Sequence, residues 1–511
     1  MSVMFGPKLA LARAAGALSR RSGRGGGTTL PGRLLLRMAP DAISRLGARL
    51  EDGSVIVSAT NGKTTTARML ASAMRAVGRV PVHNRAGSNM SWGVATALLE
   101  QPGTEGLFEV DEAWLPRMAA ELEPRVIVLG NLFRDQLDRY GELERLADEW
   151  ADLVETLAGR TEFVLNAEDP LIADLGRDRN LARRPGVTYF GIDDPSQALP
   201  ELQHAFDAKH CRRCGAPYAY ERAFVGHLGH YACPRCHADR PRPDVAATRI
   251  HLEGMRGSRA TVRAPGGEIE LRLPLPGLYN VYNALAALTT AVRLGIPLEQ
   301  ASRALGEMEA VFGRVETIAV ADKAVSILLI KNPAGANEVL RTLLLEADAT
   351  GNGHGLDLWI ALNDRIADGR DVSWVWDADF ELLAGRVRHV ACAGTRAAEM
   401  GCASSTPGCP RRRSPSPRRS TAPSIALSPR RTASFTPCPP TRPCWSSAPC
   451  SRSGGSPGAI GRELDGRLAR GRVRGLRRGS AGLGAPRRRR GPRSGARMRD
   501  GAGHAAPGEP Q

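Results

Sequence analysis

Long apolar runs, aromatic side chains and a net charge on the main body are what this 511-residue chain has little of. No stretch of 18 apolar residues occurs, so no membrane-spanning helix is expected. Aromatics make up only 5%, and the 56 glycines show no three-residue period, which excludes collagen. The formal charge of +17 hides a further lack. Residues 401–511 hold 23 Arg, no Lys and 4 acids, a surplus of +19, so residues 1–400 sum to −2. Overall basicity therefore gives no argument for nucleic acid. Only two close cysteine pairs and Cys392 lie before residue 400, which fits metal binding in a reducing compartment better than a disulfide-stapled secreted domain. From Lys8 to Arg37 the chain is Arg-rich and acid-poor. A transit peptide and an amphipathic lead-in helix both fit; a secretory signal does not, because no apolar segment with a small-residue cleavage site follows.

What is present is a 42% hydrophobic fraction, enough for real cores, over a length that suggests about three domains. Ser54-Val55-Ile56-Val57-Ser58 is a β-branched run followed at once by a turn and a helical pattern. Strand-like runs recur at Leu107–Val110, Val126–Leu129 and Phe163–Leu165 between helical stretches, the signature of an α/β domain with a mostly parallel sheet. Short alternating strands are expected over 249–275, and an Ala-rich helix over Tyr279–Leu294. A second βα unit is expected from Ala324, with strands at Ser326–Ile330, Leu358–Leu362 and Val387–Ala391.

After about Met400 the pattern gives way to Arg, Pro, Ser and Gly. A disordered basic tail is one reading. A frameshift is the one favoured, since Pro440–Cys450, written in GC-rich codons and read two nucleotides later, can give a well-formed helix pattern. The expected organisation is a helical lead-in (1–45), a central ATP-binding domain (46–310) with a Cys/His-rich insert (205–245), an incomplete C-terminal domain (311–400) and the Arg/Pro/Ser-rich tail (401–511).

Ser58 to Thr66 links a strand to a helix. Gly62 lets the backbone approach a phosphate, whose charge the successive N–H groups and the helix N-terminus would bind. Lys63 supplies a point charge to the β/γ-phosphates, and the Thr64 hydroxyl suits Mg²⁺. The spacing departs from the full Walker A pattern, whose first Gly would fall at Val57. Leu107–Glu112 ends an apolar run with carboxylates, oxygen ligands of the kind a hard divalent cation needs.

Cys211-x-x-Cys214 and Cys233-x-x-Cys236, with 18 residues between the pairs, predict a closed four-thiolate Zn²⁺ site with a structural role. His210, His227, His230 and His237 are read as surface or outer-sphere groups. The insert is not strongly basic and lacks stacking platforms, so no nucleic-acid partner is expected.

Together these residues resemble the Mur ligases, ATP-dependent amide-forming enzymes of peptidoglycan synthesis. The resemblance rests on Ala59–Thr66, then Gly87–Met90, Asn131–Arg139, Leu165–Pro170, Gly277–Ala287 and Gly313-Arg314. The four-cysteine insert, Lys331–Gly335 and Asp368–Trp374 look like the MurT-type synthetase subunits of lipid II isoglutaminyl synthase. Asp135-Gln136-Leu137-Asp138 carries Gln where amino-acid-adding Mur ligases often have His, a MurT-like feature. The resemblance covers roughly residues 40–400.

It implies a Mur-ligase central domain with a parallel sheet and an inserted zinc ribbon, then a Rossmann-like C-terminal domain, here truncated or frameshifted. It implies a GatD-like glutaminase partner that releases ammonia. It also implies ATP- and Mg²⁺-dependent activation of the D-glutamate α-carboxyl of lipid II as an acyl phosphate, amidated to D-isoglutamine. The expected place is the cytoplasm, at the inner membrane face. By position, Thr60, Asn61, Gly62, Lys63, Thr64 and Thr65 would hold ATP, with Asn280 and Arg314 as further nucleotide ligands. Thr64 and Glu109 would hold Mg²⁺, and Cys211, Cys214, Cys233 and Cys236 the zinc. Asp371 matches the aspartate proposed to complete the partner's Cys–His pair, although Asp364, Asp368 and Asp377 nearby also allow a plain solvated acidic loop.

A Mur-type or folylpolyglutamate-type ligase that adds an amino acid is the runner-up. A zinc-ribbon, Arg-tailed nucleic-acid binder and a non-catalytic structural subunit are the alternatives outside ligase chemistry. Loss of strands from the third domain would leave edges unpaired, so a chain with this tail is expected to be unstable or inactive.

Overall fold

The computed structural model describes residues 5–21, 29–84, 88–135, 143–204, 206–308, 315–349, 355–364 and 371–404. Arg314 and the tail from residue 405, where the frameshift reading falls, lie outside them.

Strands β1 (Ser54–Ser58), β2 (Val82–His83), β3 (Gly106–Glu109), β4 (Val126–Leu129), β5 (Glu162–Asn166) and β6 (Val187–Ile192) pair in parallel, in the order β6-β5-β4-β1-β3-β2. Three more strands, β9 (Val245–Leu252), β10 (Ser258–Ala264) and β11 (Gly267–Leu273), extend the sheet to nine strands; β9 is parallel to β6, and β10 and β11 are antiparallel. β1 and β4 are buried at every residue, as their unbroken apolar runs require of strands covered on both faces. From β1 the chain runs through β2 and β3 on one side and then crosses to β4 on the other. That reversal opens a crevice at the carboxyl end of β1, where an open α/β sheet binds its ligand.

One face of the sheet packs against the helices Lys63–Ala76, Leu278–Arg293 and Leu298–Gly306. The other packs against Ser91–Glu100, Leu115–Leu122 and Leu143–Leu157. The N-terminal helices Phe5–Arg21, Leu30–Met38 and Ala42–Gly47 share this second core through Ala12, Leu35 and Ile43. Lys8 donates to the Met38 carbonyl (2.7 Å), and Arg13 to that of Leu99 (3.0 Å). The described parts of the Arg-rich lead-in are thus docked helices, Phe5–Arg21 and Leu30–Met38.

The insert folds around an antiparallel hairpin, β7 (Ala219–Val225) with β8 (Leu228–Ala232), between the two cysteine pairs. Of the two readings offered for His227, surface or outer-sphere, the structure excludes the surface one. It sits in the hairpin turn, fully buried, 3.4 Å from Asp169 and with its ring 4.8 Å from that of Phe133.

Past residue 311 the expected order is partly corrected. β14 (Leu356–Ala361) and β15 (Val387–Ala393) pair in parallel as a βα domain requires. The segment read as the first strand of that unit instead forms β13 (Lys323–Leu328), antiparallel to β12 (Val315–Val320) in a separate hairpin. Helix Pro333–Ala349 and turns around Val375 and Phe380 complete a small core with Leu340, Leu383 and Met400.

Candidate active site

Thr60 to Lys63 turn between β1 and the helix Lys63–Ala76. Gly62 caps that helix at φ +90°, and a Cβ there would lie 1.9 Å from Asn283 Oδ1. Both the backbone angle and the close approach demand glycine. Asn131, just past β4, braces the loop: its Oδ1 accepts from Asn61 N (2.9 Å), its Nδ2 donates to Asn61 O (3.0 Å), and its own carbonyl accepts from Thr60 N (3.0 Å). Thr60 Oγ1 accepts from Phe133 N (3.1 Å).

Lys63 Nζ donates to the Ala59 carbonyl (2.9 Å) and to Glu112 Oε2 (2.8 Å), both side chains being buried. Burial opposes the Lys63 charge, but Glu112, Asp111 and Glu109 reverse this and hold its pKa above the ordinary value. Burial likewise acts to raise Glu112, yet Lys63 and Lys331 bring it below the usual carboxylate range. Trp150 Nε1 donates to the Glu112 carbonyl (3.1 Å), fixing that turn from the neighbouring helix. Thr64 Oγ1 donates to Glu109 Oε1 (2.8 Å) at the end of β3. A hydroxyl and a carboxylate so placed fit the donor set of a hard divalent cation that keeps most of its waters.

The third domain reaches this loop. Asn61 and Asn332 exchange two side-chain amide hydrogen bonds (3.1 and 3.0 Å). Lys331 Nζ donates to the Thr60 carbonyl (3.0 Å) and pairs with Asp135. Between the domains lies a cavity of about 100 Å³ that opens to solvent, bordered by Asn61, Gly62 and Thr65 on the loop, by Tyr279, Asn280 and Asn283, and by Lys331, Gly335 and Glu338. Asn280 is buried; its Nδ2 donates to the Pro276 carbonyl (2.8 Å) and its Oδ1 accepts from Asn283 (3.1 Å). Six of the expected nucleotide residues thus form one loop, with Asn280 facing the same space. Glu112, Asn131, Asn283, Lys331, Asn332 and Glu338 were not assigned from sequence. The strings Asn131–Arg139, Gly277–Ala287 and Lys331–Gly335 and the Leu107–Glu112 acids contain all of them but Glu338, without giving them a role.

The four cysteine Sγ atoms lie within 4.8 Å of one another. Individual separations are 3.5 Å for Cys211–Cys236 and 3.4 Å for Cys214–Cys233. Tetrahedral ligands at the Zn–S length would be about 3.8 Å apart, so the cluster fits that ion with slight expansion.

Asp371 stands apart, partly exposed at the mouth of the turn Ser373–Asp377. Its Oδ1 accepts from Ser373 N (2.8 Å), and the Ser373 hydrogen bonds hold its pKa below the ordinary value. Asp377 pairs with Arg134 (3.2 Å), and Asp368 lies outside the described residues.

Known proteins share sequence and fold with this chain. The Mur ligase middle domain family matches residues 57–215, and the MurT ligase C-terminal family matches residues 329–414. The MurT subunit of lipid II isoglutaminyl synthase (glutamine-hydrolyzing) from Streptococcus pneumoniae is 32% identical over 71% of this chain and 80% of its own length. The chain belongs to the MurT family.

The Staphylococcus aureus MurT subunit is 30% identical over 76% of the chain and 85% of its own length. Among solved structures, a pseudomurein peptide ligase type C from Methanothermus fervidus aligns with a TM-score of 0.56 at 25% identity, covering 71% of this chain and 68% of that one. MurF from Acinetobacter baumannii aligns with a TM-score of 0.51 at 20% identity over 71% of this chain and 68% of that one, a likeness of fold. MurT membership makes the chain a ligase subunit with a Mur-ligase core. Among its described residues no helix is long and apolar enough to cross a membrane.

Proposed function

We propose that this chain uses ATP to amidate the D-glutamate α-carboxyl of lipid II, with ammonia from a GatD-like glutaminase. The observation that carries the reading is the assembly of a phosphate loop, a buried Lys63 and third-domain residues around one cavity. The names of the MurT relatives supply the substrate.

A carboxylate is inert to ammonia because oxide is a poor leaving group. Attack of the carboxylate oxygen on the γ-phosphorus expels ADP and leaves an acyl phosphate. Ammonia then adds to the acyl carbon, phosphate departs, and the nitrogen loses a proton. Thr60 to Thr65 would grip the triphosphate, with Lys63 set against the developing charge and held by Glu112. Thr64 and Glu109 would hold Mg²⁺, which neutralises phosphate charge when bound. Arg314 is proposed as a further nucleotide ligand. Zn²⁺ at Cys211, Cys214, Cys233 and Cys236 would clamp the insert without entering the reaction. Asp371, partly exposed on the third domain, would orient a partner histidine. With lipid II as substrate, the reaction would take place in the cytoplasm, at the inner membrane face.

The test is amidation of lipid II by the chain co-expressed with a glutaminase. Activity should need ATP with either glutamine or free ammonium. Asp371→Asn should abolish the glutamine-supported reaction and spare the ammonium-supported one. Transfer of an amino acid in place of ammonia would favour the amino-acid-adding alternative and refute this reading.

A further inference from the structure

Glu338 lies on the third-domain helix Pro333–Ala349, is 1% exposed, and borders the cavity beside the phosphate loop. Neither of its carboxyl oxygens completes a hydrogen bond: the Leu278 N–H pulls on the carboxyl without full bonding geometry, and the Arg341 guanidinium stands 3.8 Å away. An orphaned buried carboxyl is costly, and such groups mark places where a ligand completes the hydrogen bonding. Helix packing does not demand a carboxyl at this position. The next turn of the same helix satisfies its buried polar side chain internally, Thr342 donating to the Glu338 carbonyl (2.8 Å).

The cavity has two characters. Asn61, Gly62 and Thr65 bring the phosphate loop to it. Val225, Leu228, Leu275 and Val339 give an apolar wall suited to a flat ring. A triphosphate on the loop is anionic and accepts hydrogen bonds only, so a carboxyl would repel it. The donors that ATP carries are its exocyclic amine and its ribose hydroxyls.

We propose that Glu338 binds the nucleoside part of ATP, accepting a hydrogen bond from the exocyclic amine or a ribose hydroxyl, so that the third domain contributes directly to nucleotide selection. This rests on the cavity being the ATP site.

The test measures binding of ATP and of inorganic tripolyphosphate to the full-length chain and to Glu338→Ala, Glu338→Gln and Lys63→Ala. Glu338→Ala should weaken ATP by about tenfold to a hundredfold, the usual worth of a hydrogen bond to a charged group. It should leave tripolyphosphate binding unchanged, which also shows that the variant is folded. Lys63→Ala should weaken both. ITP, 2′-deoxy-ATP and 3′-deoxy-ATP then identify the donor: the analogue that lacks it loses no further affinity on Glu338→Ala. Equal ATP binding by wild type and both Glu338 variants overturns the inference while the site stands. So does a loss of the same size for ATP and every analogue. Wild type that binds neither ATP nor tripolyphosphate refutes the site itself.

Discussion

Lys63 and Glu112 set the cost of altering the loop. Both side chains are buried, so deleting one leaves an uncompensated charge worth about 3–5 kcal/mol. Lys63→Ala should therefore lose ATP turnover and also melt lower. Adding Glu112→Gln should recover most of the melting temperature and none of the turnover; recovery of turnover would mean that Lys63 acts only as a structural ion pair. Glu338 gives a pH signature of opposite sense. Burial drives its pKa up to about 7, against the pull of Arg341 and the Leu278 N–H; Lys331 lines the same cavity, and Tyr282 also borders it. Between its ordinary value of 4.5 and about 7 the unfolded carboxyl is ionised and the folded one protonated. Stability is therefore lost as pH rises through that window, by up to about 3 kcal/mol. Glu338→Gln should stabilise at pH 8 and be near neutral at pH 5; equal melting shifts at both pH values would contradict this. The Gly62-Lys63-Thr64 loop was legible in sequence because anion binding is local: a strand, a glycine and a helix start suffice. Glu338 was not, because its meaning comes from what it faces across a domain boundary.

At the scale of elements, β1, β3, β4 and β5 could be read to within a residue or two, since a strand covered on both faces needs an unbroken apolar run. The third domain was less legible. β13 overlaps the expected strand only at 326–328, and only its pairing with β12 shows that it leaves the parallel sheet; hydrophobic pattern does not encode a partner. The insert is the clearest element for experiment. Cys233 is buried and packs with Cys211 and Ala238 in a core too small to stand without a staple. Chelation, or Cys233→Ser, should raise protease cleavage within 205–245 and release one zinc per chain. Intact, metal-free protein with unchanged cleavage would refute the structural role. The Asn61–Asn332 bridge links two elements and is worth about 1 kcal/mol in a double-mutant cycle; additive effects of the two alanine variants would show the contact to be idle.

For the whole molecule, charge is divided by region: a body of −2 and a stretch of +19 from residue 401. Any affinity of the chain for DNA or RNA should fall steeply with salt and vanish when residues 401–511 are deleted. Binding that survives the deletion would reopen the nucleic-acid reading for the zinc insert. The nine-stranded sheet and the loop at its switch point belong to the same body, so nucleotide affinity should be indifferent to that salt dependence.

The amide pair between Asn61 and Asn332 spans 271 positions, and this sets an order of events during synthesis. A nascent chain exposes Gly62 and Lys63 long before Lys331 and Asn332 leave the ribosome. The early-emerging half then has a phosphate cradle with its far wall missing. Premature termination products should not sequester nucleotide: a fragment ending at Met308 is expected to bind ATP far more weakly than the finished polypeptide.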